Sequence, residues 1–167
     1  MIENINDAGI YHLERQKAEK CLEILNKCFD IIKKEDYIYP EAMILTRNNQ
    51  ACVYKRIGRY KKALNFLQRA QEILKKNQDL YSGLTYLNLC SLYSVLADHN
   101  KSLDYAKLAI NNCQQELFWI NSQNSLDKNN KEKQKLQRKQ NEKTELLAIA
   151  YYNMAREQEI LDYWEGA

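Results

Sequence analysis

Cysteine and histidine are the residue types in this chain that most often serve nucleophilic catalysis or metal binding. Five cysteines and two histidines are scattered over 167 residues, and no Cys-x-x-Cys pair occurs. Zinc sites use closely spaced ligand pairs, so this spacing predicts no metal centre. We expect the cysteines to act as small buried residues instead. They are Cys21, Cys28, Cys52, Cys90 and Cys113, and the histidines are His12 and His99.

Sequence motifs of the common enzyme classes are also missing. The chain has no G-x-x-x-x-G-K-[ST], G-x-G-x-x-G, H-E-x-x-H or G-x-S-x-G segment, and these patterns hold phosphates, dinucleotides, zinc and nucleophilic serines respectively. The sequence therefore predicts a protein that is not an enzyme and that carries no cofactor. Binding is the remaining class of function.

A lysine-rich segment is the first candidate for binding. Residues 127–143 contain seven basic and three acidic side chains, and such a run can contact phosphate or an acidic protein surface, for example a microtubule. The segment has no aromatic residue on which bases could stack, which argues against nucleic acid. A solvated, charged helix is the simpler interpretation. The basic residues are Lys128, Lys131, Lys133, Lys135, Arg138, Lys139 and Lys143.

A second candidate is a motif that occurs twice, Asn-x-small-x-x-Tyr followed by a turn and a helix with small residues seven apart. It starts at Asn49 and again at Asn88, and the small residues Ala51 and Cys90 are 39 residues apart. Small residues let two helices cross closely while aromatic residues fill the gaps, so the motif predicts helical hairpins. It resembles the tetratricopeptide repeat, in the long form found in kinesin light chains and related adaptors.

The resemblance implies an all-α fold, a right-handed α-solenoid of about three and a half repeats and seven helices. Only four Gly and one Pro interrupt the chain, which also favours helices over many short strands. We expect three helix pairs over 1–35, 40–77 and 79–120, with Pro40 in the first turn of its helix. A basic insert over 121–143 and the first helix of an incomplete fourth repeat over 144–167 follow.

In such repeats the first helices of successive pairs line a concave groove, where asparagines hold the main chain of an extended peptide. Asn49, Asn88 and Asn153 occupy that position here, and an amide both donates and accepts hydrogen bonds. Hydrogen bonding within the solenoid is the alternative role for these side chains. The groove residues implied by the resemblance are Asn48, Asn49, Lys55, Arg56, Leu84, Asn88, Tyr152, Asn153 and Arg156.

The last helix carries apolar residues and no polar cap, so we expect this end to dock onto another chain, a second copy or further repeats. Met154, Leu161 and Trp164 are the predicted docking residues. The predicted function is a protein interaction scaffold within a larger assembly. Neither a membrane span nor a secretory signal is predicted, which indicates the cytoplasm. The high Asn, Lys and Gln content resembles ciliate proteins, whose repeat proteins are often associated with cilia and the axonemal cytoskeleton.

Overall fold

The computed structural model describes residues 18–34, 39–77, 80, 82–123 and 130–165. Within these residues every regular element is an α-helix, and there are six. The first helix of the pair predicted over 1–35 lies outside the described residues. The six helices are α1 (Ala18–Lys34), α2 (Pro40–Arg56), α3 (Tyr60–Lys76), α4 (Gly83–Val95), α5 (His99–Ser122) and α6 (Asn130–Glu165).

The helix boundaries follow from local sequence. Pro40 occupies the first turn of α2, where its missing N–H needs no partner. The Ser82 side chain accepts a hydrogen bond from the Thr85 amide at the start of α4, and the Asp98 side chain accepts one from the Lys101 amide at the start of α5. Both are standard N-caps, which satisfy amide groups that the helix itself leaves without acceptors.

The C-terminal helices differ from the predicted boundaries. The predicted third helix pair ends at residue 120 and the predicted last helix begins at residue 144, but α5 continues to Ser122, and α6 runs without a break from Asn130 to Glu165. The described part of the basic segment and the expected repeat helix are therefore one helix. The reason is local, because no Gly or Pro interrupts residues 121–165 and residues with high helix propensity dominate from 130 onward.

The chain forms two compact units, residues 1–80 and 81–167. In the N-terminal unit α1 packs on α2 and α2 packs on α3. Cys21 and Leu25 of α1 pack against Val53 of α2, and all three are fully buried. Beside them Gln50 donates a hydrogen bond to Asn26 across the same helix pair at 2.8 Å.

In the C-terminal unit α4 packs on α5, and α6 packs on both. Leu87 of α4, Ala109 and Ile110 of α5 and Ala150 of α6 form the centre of its core. Four cysteines, Cys21, Cys28, Cys90 and Cys113, are almost completely buried, as predicted for small apolar residues, whereas Cys52 is half-buried. No helix in the described residues has the length and apolar character needed to cross a membrane.

The inner turns of the two complete hairpins are equivalent but carry different residues. Gly58 has a φ of 73°, and Ala97, 39 residues later, has a φ of 58°. This left-handed region costs alanine roughly 1–2 kcal/mol and glycine almost nothing. A Cβ atom on Gly58 would meet no heavy atom within 4 Å, so backbone conformation alone decides the effect of a substitution here.

Ala97→Gly and Gly58→Ala are expected to change the free energy of unfolding in opposite directions. Ala97→Gly should stabilise the C-terminal unit by about 0.5–1 kcal/mol, since the strain relieved exceeds the entropy gained by the unfolded chain. Gly58→Ala should destabilise the N-terminal unit by about 1 kcal/mol. Urea unfolding followed by circular dichroism measures both effects. Equal destabilisation by the two substitutions would contradict the assigned conformations.

Candidate functional site

The predicted groove residues of α2 fall into two environments. Asn49 and Lys55 are half-buried and Arg56 is exposed, as a binding face requires. Asn48 is different, because it is only 1% exposed and its Nδ2 donates a hydrogen bond to the Ile44 carbonyl at 3.0 Å. Asn48 is therefore an interior residue of the hairpin, and the predicted groove role does not fit its position.

The burial of Asn48 follows from its place in the repeat. Leu87 of α4 lies 39 residues later, at the equivalent position, and is 5% exposed. On both helices this position faces the second helix of its own hairpin. Tyr152 of α6 is the third equivalent position and is 67% exposed. No second helix follows α6 in the described residues, so Tyr152 belongs to an open hairpin face and not to the groove.

In the C-terminal unit the predicted groove helices α4 and α6 are in direct contact. Leu84, Asn88 and Asn153 are half-buried. Arg156 of α6 is largely exposed, and its Nη2 donates a hydrogen bond to the Ser94 hydroxyl of α4 at 2.8 Å. This contact places the C-terminal turn of α4 beside the face of α6 that carries Asn153.

Two exposed apolar side chains lie on the same faces. Val95, seven residues after Asn88, is 49% exposed, and Ile149, four residues before Asn153, is 48% exposed. Residues four or seven apart share one face of an α-helix. The α4–α6 surface therefore combines amides, a guanidinium and accessible apolar carbon. We call this surface, Asn88, Val95, Ile149, Asn153 and Arg156, the amide groove.

A buried polar cluster holds Arg156 of the amide groove in place. Glu157 is fully buried, and its carboxylate oxygens lie 2.7 Å from His99 Nδ1 and 3.1 Å from Arg156 Nη2. Burial alone would raise the pKa of Glu157, but hydrogen bonds from Ser94, His99 and Arg156 outweigh it and hold the pKa below its ordinary value. The carboxylate thus joins α4, α5 and α6 and fixes the arginine of the groove.

Sequence reasoning missed Glu157. A glutamate in a charged helix resembles a surface residue, and its main partner, His99, is 58 residues away. One signal was present, because Ala150 and Glu157 are seven residues apart and the first of them lies on the apolar face of the helix. A carboxylate on an apolar face usually has a buried partner.

The predicted docking residues of α6 do not form one exposed face in the described residues. Met154 packs against the core cluster around Ala109 and Ala150, so it points into the C-terminal unit. Leu161, seven residues later, is half-buried on the same side. The exposed face consists instead of Ala148, Tyr152 and Ala155. The side chain of Trp164 lies outside the described part of the chain.

The six described members of the basic segment are not equivalent. Lys131, Lys133, Lys135, Arg138 and Lys139 are exposed, and Lys128 lies outside the described residues. Lys143 is only 23% exposed, and its Nζ lies 2.6 Å from Glu116 Oε2 of α5. The other oxygen of Glu116 accepts a hydrogen bond from the Gly83 amide at 2.7 Å. Lys143 therefore joins α6 to the start of α4 and is not available as a phosphate contact.

Comparison with known proteins agrees with this geometry. A family model described as tetratricopeptide repeat matches residues 2–76, and a search of the curated proteins finds no match. The crystal structure of BtubC (BKLC) from P. vanneervenii is similar, with a TM-score of 0.63 and 14% identity, over 99% of this chain and 82% of that chain. At this identity the similarity shows the fold alone, an all-α helical repeat. Residues 2–76 are therefore similar to the tetratricopeptide repeat, the resemblance that the recurring motif predicted, and the fold of the chain is of the α-solenoid class.

Proposed function

We propose that this protein is a non-catalytic scaffold that binds an extended segment of a partner protein in the amide groove. Tetratricopeptide repeats generally mediate protein–protein interaction, which supports the class of function. The observation that carries the proposal is the exposure of Val95, on the face of α4 that carries Asn88, and of Ile149, on the face of α6 that carries Asn153. Large exposed apolar side chains cost free energy in water, so their position on the predicted contact faces favours a binding role.

The chemistry of the groove suits an extended peptide. Each asparagine amide can donate to one peptide carbonyl and accept from one peptide N–H. Val95 and Ile149 can cover the apolar side chains of the ligand, since alternate residues of an extended chain point to opposite faces. Arg156 is held by Ser94 and Glu157, so little conformational entropy is lost when it contacts the ligand.

A second contact of the scaffold is the open face of α6. Ile44 and Ala51 on α2, and Gly83 and Cys90 on α4, are buried at the positions where each first helix meets its own second helix. The equivalent residues of α6 are Ala148 and Ala155, which are exposed. Small residues permit close helix approach, so this face is suited to pack against a further helix, from another chain, a second copy or further repeats. The cytoplasmic or ciliary setting of such an assembly stays a prediction.

Contact with an acidic surface through the basic segment is the alternative function. Its support is the exposure of five cationic side chains along the first three turns of α6. Glu132 and Glu142 lie within the same stretch and lower its positive potential. The amide groove combines charge, amide and apolar groups in one place, and for this reason it is the stronger candidate.

Replacing the groove amides is expected to weaken peptide binding and leave the fold intact. The full chain is used to select ligands from a displayed library of random peptides, and a selected peptide is titrated calorimetrically. Asn88→Ala/Asn153→Ala should lower its affinity about tenfold or more, because each lost hydrogen bond is worth about 1 kcal/mol. The matched control is Asn100→Ala/Asn111→Ala, which removes two exposed amides from α5. Equal affinities of the two double variants, or selection of no peptide, would count against the groove.

A further inference from the structure

The strongest concentration of positive charge in the described residues lies on the α2–α3 hairpin. Residues 55–76 contain eight basic side chains and only one acidic side chain, Glu72. Most of these charges are interleaved with the apolar residues of the amphipathic helix α3, so they form no continuous run in the sequence. The basic residues are Lys55, Arg56, Arg59, Lys61, Lys62, Arg69, Lys75 and Lys76.

A surface cavity of about 350 Å³ opens within this charged region. Its lining residues are Tyr54, Lys61, Lys62, Asn65, Phe66 and Arg69, and we call it the basic pocket. In the described residues no acidic side chain forms an ion pair with any of its three cations. Cations left without counter-charges create a local positive potential that attracts an anionic ligand.

Aromatic side chains give the basic pocket a fixed wall. The rings of Tyr54 and Phe66 stack with a centroid distance of 5.2 Å. Lys62 Nζ lies over the Tyr54 ring at 5.5 Å, and the Arg47 guanidinium carbon lies over Phe66 at 5.2 Å and over Phe29 at 3.6 Å. Burial and the neighbouring charge of Arg69 lower the pKa of Arg47, which shows that positive charge is crowded here.

The equivalent hairpin, α4–α5, provides an internal comparison for the basic pocket. It repeats the aromatic wall, because Tyr93 and Tyr105 stack at 5.3 Å and Lys101 lies over Tyr93. There, however, Lys101 pairs with Asp98 at 2.6 Å. Asp98 and Asp104 occupy the positions of Arg59 and Asn65, and Leu108 occupies that of Arg69. The two hairpins thus share a scaffold, and the first lacks the internal counter-charges that the second has.

We propose that the basic pocket binds an acidic segment of a partner protein, with Lys61, Lys62 and Arg69 contacting its carboxylates. An acidic peptide is favoured over nucleic acid because each pocket ring already has the other ring and a cation against it. Bases bind such surfaces by stacking on accessible ring faces, whereas carboxylates need only the cations. This surface is separate from the amide groove, and the proposal does not depend on peptide binding there.

The test measures fluorescence anisotropy of the full chain with three labelled probes. They are a short peptide alternating glutamate and glycine, the same peptide with glutamine for glutamate, and single-stranded oligouridine. The glutamate peptide should bind, more weakly as salt is raised, and the glutamine peptide should not. Lys61→Gln/Arg69→Gln should lower the affinity about tenfold, because two charge-assisted contacts are lost. The control Lys101→Gln/Lys107→Gln makes the same change in net charge on α5, at two exposed lysines that already face Asp98 and Asp104, and should leave the affinity unchanged.

Asn65→Asp provides a second variant with almost no change in shape. It restores the acid found at Asp104 in the equivalent hairpin, so it should weaken the glutamate peptide several-fold without altering the circular dichroism spectrum. Absence of glutamate-peptide binding would overturn the proposal, as would an equal loss of affinity in the α5 control variant. Tighter binding of oligouridine than of the peptide, with the same sensitivity to Lys61 and Arg69, would replace it with a nucleic-acid site.

Discussion

Replacing Glu157 with alanine is expected to lower the free energy of unfolding of the C-terminal unit by about 3 kcal/mol. The carboxylate is fully buried and accepts hydrogen bonds from Ser94 on α4, His99 on α5 and Arg156 on α6. Its removal leaves these three donors without their acceptor. His99 and Arg156 are 22% and 43% exposed and can partly turn to water, which places the loss at the lower end for buried ion pairs.

The same carboxylate makes the stability of the C-terminal unit depend on pH. The pKa of Glu157 in the folded protein lies below its ordinary value of 4.5, because the hydrogen bonds from Ser94, His99 and Arg156 outweigh the effect of burial. Its contribution is therefore fully present above pH 4.5 and is lost as the pH falls through the folded pKa. Glu157→Gln removes the charge but keeps the shape, so the difference in stability between wild type and this variant should shrink as the pH falls below 4.5.

Hydrogen exchange of backbone amides measures the stability loss in Glu157→Ala and the pH dependence of stability, and it reports on the two units separately. Amides of α4 and α6 should lose protection in Glu157→Ala more than amides of α2, which act as an internal reference. Glu159→Ala is the matched control, since Glu159 is exposed on the same helix. A Glu157→Ala variant as stable as this control, or a wild-type advantage that grows on acidification, would contradict the described network.

Gly83→Ala is expected to destabilise the C-terminal unit by about 2 kcal/mol, although alanine is normally the better helix former. Gly83 begins α4 where α4 crosses α5 closely. A Cβ atom at this position would lie 2.1 Å from Cys113 Sγ and 3.4 Å from the Ala109 carbonyl oxygen. The sulfur is buried, and Asn112 and Glu116 of the same helix segment are hydrogen-bonded to the start of α4, so the two helices cannot separate freely.

Removing the sulfur provides the control for this clash. Cys113→Ala alone should cost about 1 kcal/mol as a small cavity, whereas Gly83→Ala/Cys113→Ala should recover most of the stability lost in Gly83→Ala. Urea unfolding of the four proteins gives the interaction energy between the two positions. A double variant no more stable than Gly83→Ala, or a single Gly83→Ala as stable as wild type, would show that the close approach is absent.

The helical hairpins could be predicted because their determinants are local. Small residues recur at a fixed spacing, and Ala51, Ala63, Cys90 and Ser102 are all buried where the helices cross. Pro40 and the N-cap residues mark the boundaries in a similar way. The fold class therefore followed from the pattern of single residues, as it does in other repeat proteins whose units contact only their neighbours.

The binding surfaces were predicted less well, because they depend on which face of a helix is covered. Asn48 and Asn49 are adjacent in sequence, yet only Asn48 is shielded by α3. Met154 seemed available at the end of the repeat, but α6 turns it into the core formed with α5. The basic pocket could not be predicted from the sequence for a related reason. Arg69 lies two turns after Lys61 and Lys62 on α3, and only folding places these cations beside Tyr54.

The central claim, that the first helices of the repeats form the binding face, is tested most directly by nuclear magnetic resonance. The ¹⁵N-labelled full chain is titrated with a selected peptide, and the side-chain amide signals of asparagine are followed. We predict that the signals of Asn88 and Asn153 shift on binding, together with the backbone amides of Val95 and Ile149. Shifts confined to Asn100 and Asn111 on α5, with Asn88 and Asn153 unchanged, would place the ligand on the second helices and contradict the proposed function.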